Sequence, residues 1–363
     1  MIQFDWLARE QIERHSLDMR QFIDFRQSWL TTGMRLIEAY NGSGLSFTIL
    51  PDRGLDIWTA HYNGVPLTWV AQGSPFVPDF GQPWLRQFNG GLLTTCGLTH
   101  AGPPETDPRT GEVRDLHGRY TRLRATGITA TGVWVNNGYL MELSGTVAES
   151  ALFGEQLRLD RTYRMALGEP SIEITDSVTN VGDMPAPLMV LYHVNLGFPL
   201  ISQDTTFDSA YHGVYPRDAE ARKGTHRWAD YDAAIPGYAE QVYFHHVKAD
   251  PNGQSAAALL HKSFGLLYTW DTSTLPYITQ WKNVRQGIYV CGVEPGNCLP
   301  EGQNAARESG RLVMLEPGAE QRFSLKLTVL DGAEAVEAAR GRIADLRATG
   351  TPLAHCNLHG YID

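Results

Sequence analysis

Hydrophobic and polar residues alternate in short runs along most of this 363-residue chain. LSFTIL (45–50), LDIWTAHY (55–62) and VPLTWV (65–70) are separated by turn signals at 51–54 and at Asn63-Gly64. Asn-Gly between two such runs predicts a hairpin, because both central turn residues need positive φ. Residues 71–118 break the pattern with many Gly and Pro, enclose the apolar stretch 90–98, and predict long loops over a sheet. Strands are expected again at 120–125, 132–136 and 139–148, the last two joined by Asn137-Gly138, then at 155–166, 171–179 and 186–195. In 155–166, Leu157, Leu159, Tyr163 and Met165 alternate with polar residues, so one face is buried and one wet. Residues 200–240 read as loop. Further strands are expected at 241–248, 256–261, 264–271, 276–282, 287–294, 311–316 and 321–330.

Helical spacing is confined to the ends. Val336, Ala339, Ile343 and Leu346 place a helix at 332–346, and a short outer helix is expected at 5–14. Many short strands with one terminal helix predict an all-β fold, a large antiparallel β-sandwich with one C-terminal helix. No repeat, low-complexity run or linker divides it. One domain over 1–363, with its core at about 20–330, is the expectation.

Composition narrows the function. Hydrophobic residues make up 42% of the chain and supply a large core, and the formal charge of −10 argues against nucleic acid or an anionic membrane as partner. The N-terminus has no apolar signal segment and no window is apolar enough to span a bilayer, so a cytoplasmic protein is expected. Cys96, Cys291, Cys298 and Cys356 form no CxxC pair and are expected as free thiols.

The chemistry is placed at 287–300, GIYVCGVEPGNCLP, with Glu294 at its centre. Ile288, Val290 and Val293 make a strand, Pro295-Gly296 signals a turn, and Glu294 is expected at the strand's last position. A carboxylate held there is rigid and suits a general base. His193 lies inside the strand containing Leu191 to Gly197; alone, such a histidine is more often a hydrogen-bonded core residue than a catalyst. His100 in GLTHAGPP and His117 in DLHGRY lie in loops. The other histidines, from His15 to His359, have no spacing that separates them from surface or core.

These segments, in this order, resemble the aldose 1-epimerase (galactose mutarotase-like) superfamily. Leu116-His117-Gly118 is similar to its first-half His-Gly loop. VTNVGDMPAPLMV followed by Tyr192-His193-Val194-Asn195-Leu196-Gly197-Phe198 resembles its mid-chain histidine segment, and Val290-Cys291-Gly292-Val293-Glu294-Pro295 its glutamate strand. The resemblance spans about 45–330. It is closest to a poorly characterised branch, of the domain of unknown function 4432 type, marked by PDRGLDI (51–57), GGLLTTCGL (90–98) and VEPGN (293–297). Tyr192 departs from the Asn usual before the histidine, and no equivalent of the superfamily's substrate-binding Asp segment is found.

The resemblance implies a cofactor-free isomerase that interconverts the anomers of a small-molecule sugar, with Glu294 as base and His193 as acid, the nearby Glu keeping His193 protonated. His117, His100, Arg53, Arg86, Lys282, Trp281 and Asn297 are the candidate sugar contacts. Trp281 and Lys282 are adjacent on a strand, so only one of them faces the site; Trp270 is expected in the core. Two alternatives stay open. His100, His117, His193 and Glu294 could hold a divalent metal for epimerisation at another carbon, or the sandwich could bind carbohydrate without catalysis. The oligomeric state is open, a homodimer included.

Overall fold

The alternation at 157–165 becomes the strand Gln156–Ala166, whose odd-numbered residues from Leu157 to Met165 are buried. It belongs to an eight-stranded antiparallel sheet ordered Thr205–Ser209, Gln254–His261, Phe264–Asp271, Glu320–Asp331, Ser171–Asn180, Gln156–Ala166, Gly138–Ser150, Thr126–Val135. A second sheet runs Tyr211–Pro216, Gln241–Ala249, Tyr277–Arg285, Ile288–Gly296, Leu191–Gly197, Thr94–Cys96, with the short Thr351–Pro352 added to Gln241–Ala249. A third, of five strands, spans Asp24–Trp29 to Val65–Pro66. One hydrophobic core draws on all three, through residues such as Ile49 and Ile57, Leu159 and Ile174, and Val194 and Val293. This computed structural model describes residues 6–354, 356, 358, 360 and 361. Asp5, at the start of the expected N-terminal helix, and His355 and His359 lie outside the described residues.

The architecture is the expected antiparallel β-sandwich. Its long C-terminal helix, Ala333–Thr349, packs Val336, Ala339 and Ile343 against Ala256, Ala258 and Leu260. No helix among the described residues is long and apolar enough to cross a membrane. Several local expectations are corrected. Residues 120–125 turn as the 3-10 helix Tyr120–Arg122, because the amides of Arg119 and Tyr120 both reach the Gly97 carbonyl. Asp24–Trp29 and Arg35–Tyr40 are strands where none was expected before residue 45, and Thr205–Ser209 and Tyr211–Pro216 lie in the stretch read as loop. Asp24–Trp29 buries only Phe25, and Tyr211–Pro216 is half-buried throughout apart from the exposed His212, so neither has a buried face and a wet face to give a period-two signal. Short helices also form at Arg9–His15, Ala219–Lys223 and Gln303–Glu308.

Two further corrections bear on the site. The run 186–195 splits into Ala186–Leu188 and Leu191–Gly197, because the Asn297 side chain takes the Val190 amide and gives to the Leu188 carbonyl. The Glu294 strand does not stop at the Pro-Gly pair but runs through Gly296. Pro295, which has no N–H to give, is tolerated because the ladder to Leu191–Gly197 joins Leu191 to Gly296 and Val194 to Val293 and skips the positions between.

Behind His193 the three sheets meet at a fully buried guanidinium. Arg161 donates to Asp176 at 2.9 and 2.7 Å and to Asp56 at 2.9 Å. Asp56 accepts from the Thr95 amide and hydroxyl, and the Tyr192 hydroxyl donates to Asp176 at 2.7 Å. Burial pushes the Asp56 carboxyl above the usual range, and the Arg161 charge opposes that rise. Replacing Arg161 by Leu strands two buried carboxyls, so a loss of about 3–5 kcal/mol in unfolding free energy is expected by urea denaturation; a loss below about 1 kcal/mol would show that the cluster is not a stabilising clamp.

Candidate active site

With Leu191 opposite Gly296 and Val194 opposite Val293, the register sets His193 directly across from Glu294 on the same face of the sheet. On its other side Glu294 pairs with Thr279, and two residues along Trp281 pairs with Gly292. The face away from the core therefore presents His193, Glu294, Thr279 and Trp281 together. Gly292 makes the room: a Cβ there would lie 2.6 Å from Glu294 Oε1 and 3.2 Å from His193 Cε1.

His193 Nε2 stands 3.2 Å from Glu294 Oε1. That is within ion-pair reach but outside hydrogen-bond alignment, and Glu294 Oε1 and His193 Nδ1 are both buried without a hydrogen bond. His117 enters from its loop, with its backbone at φ 55°, its amide on the Gly102 carbonyl and its ring 6.0 Å from that of His193. Gly118 is required behind it, since a Cβ there would meet the Gly97 and His100 carbonyls at 2.5 Å. His117 Nδ1 and Thr279 Oγ1 are also buried and unpartnered. Trp84 Nε1 is a fifth such atom; buried polar atoms are nearly always satisfied, so five unpaired ones on residues lining one cavity mark a place for a polar ligand.

The cavity, about 570 Å³, is walled by Trp84, Phe88 and Trp281. Trp84 stacks on Phe88 at 4.5 Å, and Trp281 anchors its indole N–H on Glu240 at 2.7 Å. Glu240 also accepts from Arg217 at 3.3 Å. An aromatic wall facing buried acceptors and donors suits a ring with an apolar face and hydroxyl edges.

Burial dominates the titration of the site. It pushes the Glu294 carboxyl well above its ordinary value, with Glu240 adding to the rise, and lowers His193 to about 4. His117 is pushed well below its ordinary value by burial first and by His193 second. Burial thus acts against the expectation that Glu294 keeps His193 protonated. Losing water disfavours the charged form of both partners.

Of the residues proposed from sequence, the structure gathers Glu294, His193, His117 and Trp281. His100 is buried elsewhere, with Nε2 on the Pro103 carbonyl and Nδ1 3.5 Å from Glu105. Arg53 is interior and gives to the Phe76 and Gln87 carbonyls, so it holds the loop that carries Trp84 and Phe88. Arg86 is exposed on that loop. Lys282 points to the opposite face, onto the Arg227 carbonyl, and Asn297 is spent on the backbone of 188–190. None of these five lines the cavity. Of the four groups of the metal alternative His100 stands apart from the other three, and among the described residues no three or more His, Cys, Asp or Glu side chains are placed to hold an ion. Trp84, Phe88, Thr279, Glu240 and Arg217 line the site and were not singled out from sequence. Thr279 shares the parity of Trp281 and was findable, whereas Glu240 lies in a stretch without periodicity.

The sheets and this cavity define a galactose mutarotase-like sandwich. A protein from Klebsiella pneumoniae subsp. pneumoniae MGH 78578, provisionally named an aldose 1-epimerase, matches with a TM-score of 0.80 at 25% identity over 88% of this chain and 85% of its own. A galactose mutarotase-like protein from Clostridium acetobutylicum matches at 0.63 and 14% identity, covering 86% and 99%. The galactose 1-epimerase of Lactobacillus acidophilus NCFM gives 0.56 and 12%, covering 85% and 99%. No curated protein matches the sequence. The chain belongs to the family of the domain of unknown function DUF4432, whose profile matches residues 31–329.

Two outcomes follow from the geometry. Above its ordinary value of 4.5, folded Glu294 keeps a proton that the unfolded chain has released, so its contribution to stability falls as pH rises. His193 acts with the opposite sign between about 4 and 6.5 and is common to both proteins. Glu294→Gln should therefore be more stable than wild type by a margin that widens with pH above 4.5, read from denaturation midpoints at several pH values. Gly292→Ala should displace Glu294 and His193 and remove ligand response while the circular dichroism spectrum stays that of the wild type.

Proposed function

We propose that this protein is a carbohydrate epimerase acting at the anomeric carbon of an aldose, an aldose 1-epimerase. The observation that carries this reading is the opposed pair of His193 and Glu294 at the floor of an aromatic-walled cavity. Anomer exchange takes the proton from the anomeric hydroxyl and gives one to the ring oxygen. The bond from C1 to the ring oxygen breaks and the aldehyde forms. After rotation about the C1–C2 bond, the same steps in reverse close the ring on the other face. No net proton, electron or atom is consumed, so one acid and one base suffice.

A pair sharing one proton meets that need. Glu294 is the base and His193 the acid: sugar hydroxyls on Glu294 Oε1 and His193 Nδ1 supply hydrogen bonds that no protein group gives these atoms, and these favour the charged pair, with the proton on His193. His117 and Thr279 hold further hydroxyls, and Trp281 with Phe88 covers the apolar face of the ring. A binding module would need no such pair, and keeping two unpaired ionisable groups buried costs stability.

The test is anomer interconversion followed by polarimetry or exchange NMR over a panel of aldoses. Glu294→Gln and His193→Asn should each lower turnover about 10²- to 10⁴-fold, and the double variant should lose far less than the product, because the pair acts as a unit. The pH profile should be bell-shaped. The burial shifts decide which group governs each limb. Activity should fall at low pH as His193 takes a second proton near its value of about 4, and at high pH as the raised Glu294 proton leaves. Full activity in Glu294→Gln, or no turnover of any aldose by wild type, would overturn the proposal.

A further inference from the structure

The outer strand of the eight-stranded sheet, Thr126–Val135, has the sequence TGITATGVWV, with no charge and no proline in ten residues. It lies almost wholly in solvent, only Ile128 and Trp134 being half-buried, and Val133 and Val135 are exposed. A sheet edge of this kind offers a row of unpaired amides and carbonyls, and monomeric proteins guard such edges with charges, prolines or covering segments. The opposite edge of the same sheet is guarded. Thr205–Ser209 is five residues long, Asp208 pairs with Arg347 of the C-terminal helix, and the Phe207 amide is bonded to the Ala229 carbonyl.

We propose that Thr126–Val135 pairs antiparallel with the same strand of a second copy, joining two eight-stranded sheets into one across a two-fold axis. The charge pattern of the sheet's wet face selects this occupant. An ion ladder crosses that face in register, Lys326 to Glu173 at 2.9 Å, Glu173 to Arg164 at 3.8 Å, and Arg164 to Glu142. The next position in line, opposite Glu142, is Thr131, and there the charges stop. On a two-fold seam each residue meets its own counterpart or a near neighbour, so a charge at its centre would oppose itself. An uncharged last strand is what self-pairing needs, whereas a charged partner strand would be met by complementary charge. With the axis at Thr131, the two Glu142 side chains stand three strand spacings apart, about 14 Å, beyond a Debye length of about 8 Å. Strand pairing alone buries less than the roughly 1,600 Å² of a standard interface, so dimerisation should depend on concentration.

The experiment is sedimentation velocity or light scattering on the full chain over a wide concentration range. Wild type should shift from monomer to dimer, Thr131→Lys should stay monomeric, and an equimolar mixture of Thr131→Lys with Thr131→Glu should dimerise again. Val133→Lys is the second variant, and circular dichroism checks that each folds. A wild type that is monomeric throughout, or a dimer that neither substitution weakens, would overturn the proposal.

Discussion

Three sheets are tied together where the guanidinium of Arg161 is buried. Arg161 sits between two carboxylates from different sheets, and Tyr192 of a third closes the cluster on Asp176. Breaking one partner of such a group leaves uncompensated buried charge, so its members hold one another in place. The cluster matters to chemistry because strand side chains alternate. Tyr192 faces the core and His193 the cavity, so fixing one hydroxyl on one side fixes the imidazole on the other. Tyr192, which departs from the superfamily's usual residue, is thus explained by what lies behind the site rather than in it.

The cavity is built on the opposite principle. The core cluster pairs its charges, while the cavity keeps His193 Nδ1, His117 Nδ1, Glu294 Oε1 and Thr279 Oγ1 unpaired. Unpaired buried polar atoms cost stability, and a sheet clamped from behind can bear that cost. The residues around them are rigid for the same reason. His193 and Glu294 are locked by register, Trp281 is held through its N–H by Glu240, and His117 is held by its backbone. A ligand would meet a site already shaped for it.

The sandwich was legible because its inward strands alternate strictly: 156–166 and 320–331 bury every second residue over most of their length. Asp24–Trp29 and Tyr211–Pro216 were not, because a strand whose two faces are similarly exposed leaves no periodic trace. His117, His193 and Glu294 were found through the order of their segments. Their convergence is written only in the register, where 193 falls opposite 294, and no local spacing reveals it. Arg53, Lys282, Asn297 and His100 misled for a shared reason. Each is a polar residue within a conspicuous segment, and each is spent on backbone carbonyls or a neighbouring carboxylate. Sequence gives the residue type but not where its hydrogen bonds go.

The same distinction explains what the marked segments encode. In 51–57, Arg53 carries the aromatic loop, Gly54 leaves space for the Tyr120 ring, and Asp56 joins the Arg161 cluster. In 90–98, Gly91 lies against the backbone of Ile57 and Trp58, and Thr95 caps Asp56 with its amide and hydroxyl. In 293–297, Asn297 splits the preceding strand so that Leu191–Gly197 starts where His193 meets Glu294. Apart from Glu294 these positions touch no part of the cavity; they are the scaffold that holds it. Most cavity walls come from elsewhere, from Trp84, Phe88, His117 and Glu240 outside the strands and from Trp281 in the middle of Tyr277–Arg285. Such walls can change without disturbing the clamp. Within this architecture the ligand that the cavity accepts is therefore set by residues outside the conspicuous segments, while those segments keep His193 and Glu294 face to face.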